Sequence, residues 1–156
     1  MDGLNRLFRR VPTAVVWLGG LVPLFWLVWA AASAGLGPDP VKAIEHRLGL
    51  WALQFLVASL CLSPLRRLGL NLIRFRRALG VTAFLYAALH FGAWVWLDMG
   101  LRWNEIAADL IKRPYIILGM LGLVARIPLA ATSTDSAIRR MGGLKWRRLH
   151  RLTYVA

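Results

Sequence analysis

The 156-residue chain is too apolar for an ordinary soluble domain, since 58% of its residues are hydrophobic and its mean hydropathy is +0.56. Its 20 Lys and Arg against 7 Asp and Glu give a net charge of +13. The basic residues cluster between apolar runs, where the positive-inside rule places them, which argues for anionic lipid and against nucleic acid as the partner. The single cysteine, Cys61, excludes an internal disulfide.

The first apolar run follows a basic N-terminal segment, as in a signal peptide. Its uncharged stretch, residues 11–38, is too long for a cleaved h-region, so we interpret it as a signal anchor and the first span. The turn sequence GLGPDP is predicted to end this span, and Pro64 is predicted to end the second. The apolar runs predict membrane-spanning helices over about residues 14–35, 48–63, 78–97 and 114–131.

A fifth span is predicted to begin near Trp146, and the sequence ends at Ala156 with that pattern unfinished. The expected architecture is an all-α polytopic membrane bundle, one transmembrane domain over residues 1–156, truncated at its C-terminus after four spans and the start of a fifth. Lys and Arg alternate between the loops, which predicts a cytoplasmic N-terminus and cytoplasmic second and fourth loops. Arg126, the one charge inside the fourth span, is expected to snorkel toward the nearer membrane surface.

His90 lies in the middle of the third span, and an intramembrane imidazole is a candidate functional site because it is costly without a partner. His150 lies at the start of the predicted fifth span, and two helices that each offer an imidazole are one way in which membrane proteins hold b-type haem. The alternatives are a His90 that bonds to a neighbouring helix and an interfacial His150. His46, near the mouth of the second span, is interpreted as structural or interfacial, with contact to haem, quinone or a partner less favoured. Tyr86 and Phe91 flank His90 and could pack against a porphyrin, although aromatic residues in a span are more often core residues.

The two histidines are predicted to lie at different depths. His90 is about 18 Å from the start of its span and His150 about 6 Å, so they are not expected to ligate one haem. Two stacked haems resolve the difference. The inner haem would use His150, with Arg77 or Arg76 meeting a propionate, and the outer haem would use His90 and a residue about 13 positions beyond His150, past the end of the sequence.

Five segments carry a resemblance to a known family: GPDPVKAIEHRLGLWAL (37–53), RRALG with FLYAALH (76–90), KRPYIILG (112–119), ATSTDSAIRRMG (131–142) and LKWRRLHRLTY (144–154). In this order and spacing they resemble the MsrQ family, the haem-binding membrane subunits of the bacterial periplasmic methionine-sulfoxide reductase system. That family belongs to the wider ferric-reductase-like transmembrane group.

The resemblance implies six spans and b-type haem, with His90 and His150 matching two of the family's haem-ligating histidines. It implies an inner-membrane subunit that carries electrons and does no sulfoxide chemistry. Its electrons would come from the quinone pool, with FMN as a further cofactor, and pass to the periplasmic molybdopterin enzyme MsrP, which repairs oxidised envelope proteins. A ferric reductase or a cytochrome b quinol oxidoreductase is the closest alternative, and a non-redox scaffold or small transporter is the alternative of another class.

Overall fold

The computed structural model describes residues 5–151 except 7 and 9, and its long elements are all helical, as predicted. Within this part of the chain, four helical segments are long and apolar enough to cross a membrane. They are α1 (Thr13–Ala32), α2 (Pro40–Arg67), α3 (Arg76–Ala93) and α5 (Pro114–Ala131). A 3-10 turn (Ile73–Phe75) precedes α3 and a π-helical turn (Trp94–Asp98) extends it. The shorter helices are α4 (Trp103–Lys112), α6 (Asp135–Met141) and α7 (Gly143–His150).

The second span is longer than predicted at both ends. Helix α2 begins at Pro40 because Asp39 caps it, accepting a hydrogen bond from the Lys42 backbone N–H at 3.2 Å. The Lys42 side chain also bonds to Asp39 and holds the pKa of that carboxyl below its usual value, so the cap is ionised at neutral pH. Pro64 does not end the helix, which continues to Arg67. A proline within a helix removes one hydrogen bond and crowds the carbonyl four residues before it, which bends or weakens the helix without necessarily ending it.

The other boundaries differ less from the prediction. The first span ends at Ala32, and a turn that includes Gly37 at φ +84° leads into α2. The region between the third and fourth spans, predicted as a loop, contains α4. The predicted fifth span would continue from α7 into residues 152–156, which lie outside the described residues.

Successive long helices alternate in direction, so the bundle has two ends. At one end, Asn5 Nδ2 donates to the Gly69 carbonyl at 2.8 Å, and Arg77 forms an ion pair with Asp135 at 2.6 Å. We call it the α7 end, because α6 begins at Asp135 and α7 follows it. We call the opposite end, where α4 lies, the α4 end. The N-terminal segment, the α2–α3 connection and α6–α7 therefore share one end, which agrees with the alternation of basic loops.

Helix α3 is central and contacts α1, α2 and α5. Its Tyr86 is 0% exposed and donates a hydrogen bond from its hydroxyl to the Gly20 carbonyl of α1 at 2.8 Å. The Tyr86 ring packs against Trp51 and Phe55 of α2, with centroids 5.8 and 5.3 Å away. Tyr86 thus joins three helices and is a core residue, as the simpler interpretation held.

Replacing Tyr86 with alanine is expected to lower the free energy of unfolding by about 3–5 kcal/mol, because a fully buried aromatic ring is removed. Tyr86→Phe keeps the ring and removes the interhelical hydrogen bond, so it should cost only about 0.6 kcal/mol. Unfolding in mixed micelles would measure both. Phe25→Ala is the matched control, since Phe25 is 70% exposed on α1, and a loss as large as that of Tyr86→Ala would contradict the assignment of the core.

Candidate functional site

Two cavities open between the helices, and the predicted site residues divide between them. The large cavity, of about 880 Å³, contains His150 in its lining, together with Arg76 and Arg77. The small cavity, of about 390 Å³, is lined by His90 and by Glu45. The two histidines therefore face different cavities, in agreement with their predicted difference in depth.

One ring nitrogen of His90 is hydrogen-bonded, and the other has no hydrogen-bond partner among the described residues. Its Nδ1 lies 2.9 Å from the Glu45 backbone carbonyl of α2. Because a carbonyl only accepts, Nδ1 carries a proton and donates, and in the neutral imidazole, the form that binds a metal, the lone pair is on Nε2. Metal-bound histidines in proteins commonly have this arrangement, with the second nitrogen donating to a backbone carbonyl. The His90 side chain is exposed where it lines the small cavity.

Gly49 allows His90 to approach α2 this closely. A Cβ atom at position 49 would lie 3.2 Å from His90 Cε1 and 3.3 Å from Nδ1, closer than side chains normally pack. Gly49 lies one helical turn after Glu45, so the carbonyl that binds the ring and the space that admits it belong to the same turn of α2. Sequence reasoning missed Gly49, and its one signal was a glycine in the interior of an apolar helix.

Glu45 contributes a second feature to the small cavity. Its side-chain oxygen Oε1 is buried and has no hydrogen-bond partner among the described residues. Buried carboxylate oxygens are normally satisfied, so an unpartnered one in a cavity lining is suited to accept a hydrogen bond from a bound group. Phe91 is half-buried and also lines this cavity, the position expected if it packs against a bound group, and its ring centroid lies 5.9 Å from that of Trp94.

His150 is held against α5. Its ring stacks on Trp146 with a centroid distance of 4.0 Å, and its Nε2 lies 3.2 Å from Thr132 Oγ1. The Thr132 hydroxyl donates to the Pro128 carbonyl at 2.6 Å, so Nε2 is the donor toward Thr132 and the lone pair lies on Nδ1. Ligation of iron through Nε2 would therefore require the ring to turn away from Thr132.

Arg76 and Arg77 line the large cavity together with His150, and each also bonds to another residue of the protein. Arg76 Nη1 donates to Ser63 Oγ at 3.2 Å. Arg77 is ion-paired with Asp135, a residue that sequence reasoning did not select. A propionate that reached Arg77 would share it with this carboxylate. The large-cavity lining also includes Arg126, Arg147, Arg148 and Arg151.

Two remaining expectations concern His46 and Arg126. His46 lies on α2, exposed, and lines neither cavity, which agrees with a surface role. The expectation that Arg126 snorkels was wrong. Its Nη1 donates to the Gly122 carbonyl at 3.1 Å, one turn back along α5, so the side chain extends away from the nearer helix end and is half-buried beside both cavities.

Comparison with known proteins relates the chain to one family. The sequence model described as "Ferric reductase like transmembrane component" matches residues 47–156. The protein-methionine-sulfoxide reductase heme-binding subunit MsrQ of Brucella anthropi is 49% identical over 88% of this chain, and that of Agrobacterium fabrum is 49% identical over 97%. The MsrQ subunit of Brucella ovis is 46% identical over 91%.

The chain spans 62%, 72% and 64% of the lengths of these three relatives. No solved structure matches it. The four apolar helices and the family match together indicate a multi-pass membrane protein. On the extent and identity of these matches, the chain belongs to the ferric reductase-like transmembrane family and, within it, to the MsrQ subunits.

Proposed function

We propose that the chain is the haem-bearing, electron-carrying part of a membrane subunit that serves a protein-methionine-sulfoxide reductase. The observation that carries the proposal is His90, whose Nδ1 is fixed by the Glu45 carbonyl and whose Nε2 lone pair is available at the small cavity, on a membrane-spanning helix. The curated relatives are named as heme-binding subunits, which supports the same ligand here.

The residues at the two cavities fit a prosthetic group with an iron and acidic side chains. When bound, haem supplies a one-electron carrier whose potential depends on its ligands and burial. His90 would ligate an outer haem in the small cavity. His150 would ligate an inner haem in the large cavity after leaving Thr132. The guanidinium groups of Arg76 and Arg77 would bind its propionates, since Arg is suited to bidentate contact with carboxylates.

The large cavity holds more positive charge than two propionates require. Arg147, Arg148 and Arg151 line it in addition to Arg76 and Arg77. A phosphate carries about −1.5 to −2 charges at neutral pH and is recognised by arginine clusters. This surplus supports the binding of FMN, through its phosphate, at the α7 end of the bundle.

We further infer the direction of electron transfer. The α7 end carries the most basic connections and is therefore cytoplasmic under the positive-inside rule, with the N-terminus on the same side. Electrons from the quinone pool, with FMN as a carrier, would pass through the inner and outer haems to the α4 end, which faces the periplasm of a bacterial inner membrane. The acceptor there would be the molybdopterin enzyme MsrP. The chain itself is an electron-transfer subunit and not the catalytic one.

The first test is a dithionite-reduced minus oxidised absorption spectrum of the detergent-purified protein, with flavin fluorescence of its acid extract. We expect the α and Soret bands of b-type haem and FMN in the extract. A colourless protein would overturn the proposal and leave the scaffold or transporter interpretation. Haem without flavin would overturn only the FMN assignment.

A second test separates the acceptors. In proteoliposomes supplied with a quinol, the haem bands should appear reduced and should be reoxidised when a periplasmic MsrP-type reductase and methionine sulfoxide are added together. Reoxidation by a ferric chelate, and not by the reductase with its substrate, would favour the ferric reductase alternative. The reductase without methionine sulfoxide is the control, because it cannot turn over.

A further inference from the structure

Arg126 is the one residue found in the linings of both cavities among the described residues. It lies on the face of α5 that packs toward α3. Leu123, one turn before it, lines the small cavity, and Leu129, one turn after it, lines the large cavity. The guanidinium therefore belongs to the wall that both cavities share.

No carboxylate within the described part of the chain is ion-paired with Arg126. Its bond from Nη1 is to a neutral carbonyl, that of Gly122. Arginines inside membrane spans are costly and mark functional sites. Arg77 differs, because it lines the large cavity only and Asp135 neutralises it.

We propose that the single positive charge of Arg126 acts on the electron carriers in both cavities and raises the reduction potentials of both. The inference rests on the proposed function, since it requires a haem in each cavity. Each carrier becomes one unit more negative when it accepts an electron. A fixed positive charge in the shared wall stabilises that form on both sides, and the low dielectric of a membrane interior leaves the interaction poorly screened.

The test is a spectroscopic redox titration of the purified haem-loaded protein and of Arg126→Gln. Glutamine keeps a donor for the Gly122 carbonyl and removes the charge. We expect both haems to remain bound and both potentials to fall, each reduction equilibrium weakening at least tenfold, or 59 mV for one electron. Arg126→Lys keeps the charge, so both of its potentials should stay close to those of the unmodified protein.

Arg147→Gln is the matched control. Arg147 lines the large cavity only, and its Nε donates to the Gly143 carbonyl at 3.2 Å, a bond to the fourth residue back like that of Arg126. This variant should shift the potential of one haem and leave the other unchanged.

The outcomes separate the inference from the proposed function. Two bound haems in Arg126→Gln with one or neither potential lowered would overturn the shared role of Arg126, while the haem assignment would stand. Absence of haem from the unmodified protein would overturn the proposed function itself. If Arg126→Gln loses one or both haems, the potentials of Arg126→Lys test the inference in its place. Potentials near the original values support the role of the charge, and lowered potentials despite the retained charge contradict it.

Discussion

His90→Ala is expected to remove the haem of the small cavity and to leave the other haem in place, whereas His150→Ala is expected to do the reverse. The reason is geometric, because His90 and His150 line different cavities and so cannot share one iron. Loss of an axial imidazole leaves an iron without a strong ligand on that side. Each substitution should therefore remove one spectral component of the reduced-minus-oxidised difference spectrum and about half of the haem per chain.

His46→Ala is the control for these two variants, since His46 is exposed and lines neither cavity. It should retain the full haem content. Loss of the same spectral component from the His90 and His150 variants would contradict separate sites and would indicate one haem held between α3 and α7. Full haem content in His90→Ala would contradict the assignment of the small cavity.

The helical fold was predictable because an apolar run about as long as the bilayer is thick has few alternatives. The helix ends were less predictable. The start of α2 depends on a cap made by Asp39 ahead of Pro40. In the sequence, these residues and the preceding glycines are typical of a turn, so the segment was not predicted to begin a helix. Pro64 was interpreted as a terminator, although membrane-spanning helices tolerate proline because other groups satisfy the carbonyl that it leaves unbonded.

The candidate site was predictable only in part, and for a different reason. His90 and His150 stand out because imidazoles are rare in apolar segments, and their depths follow from helix rise alone. The prediction for Arg126 was wrong because it used only the distance to the helix end. The direction of this side chain is set by the Gly122 carbonyl and by the cavities beside it. Asp135 was missed because its contact with Arg77 joins residues 58 positions apart.

Gly49→Val is expected to weaken haem binding at the small cavity by about 10- to 100-fold, the usual effect of disturbing a group that orients a metal ligand. The histidine itself is retained. A Cβ at position 49 would already lie 3.2–3.5 Å from three atoms of the His90 ring. The added methyl groups of valine would push the ring away from α2 and break the Nδ1 bond to the Glu45 carbonyl. Haem titration of the apoprotein, followed in the Soret band, measures the loss.

Gly49→Ala should show the same effect in a weaker form, because a single methyl group requires the His90 ring to move only a few tenths of an ångström. The loss of haem affinity in this variant should be several-fold smaller than in Gly49→Val. Gly92→Val is the matched control on α3, where a Cβ meets nothing within 4 Å. It carries the same change of residue type in an apolar helix and should bind haem normally. Equal affinities in Gly49→Val and Gly92→Val would mean that the position of the His90 ring against α2 does not control ligation. The lone pair on Nε2 would then act without the Glu45 carbonyl behind it.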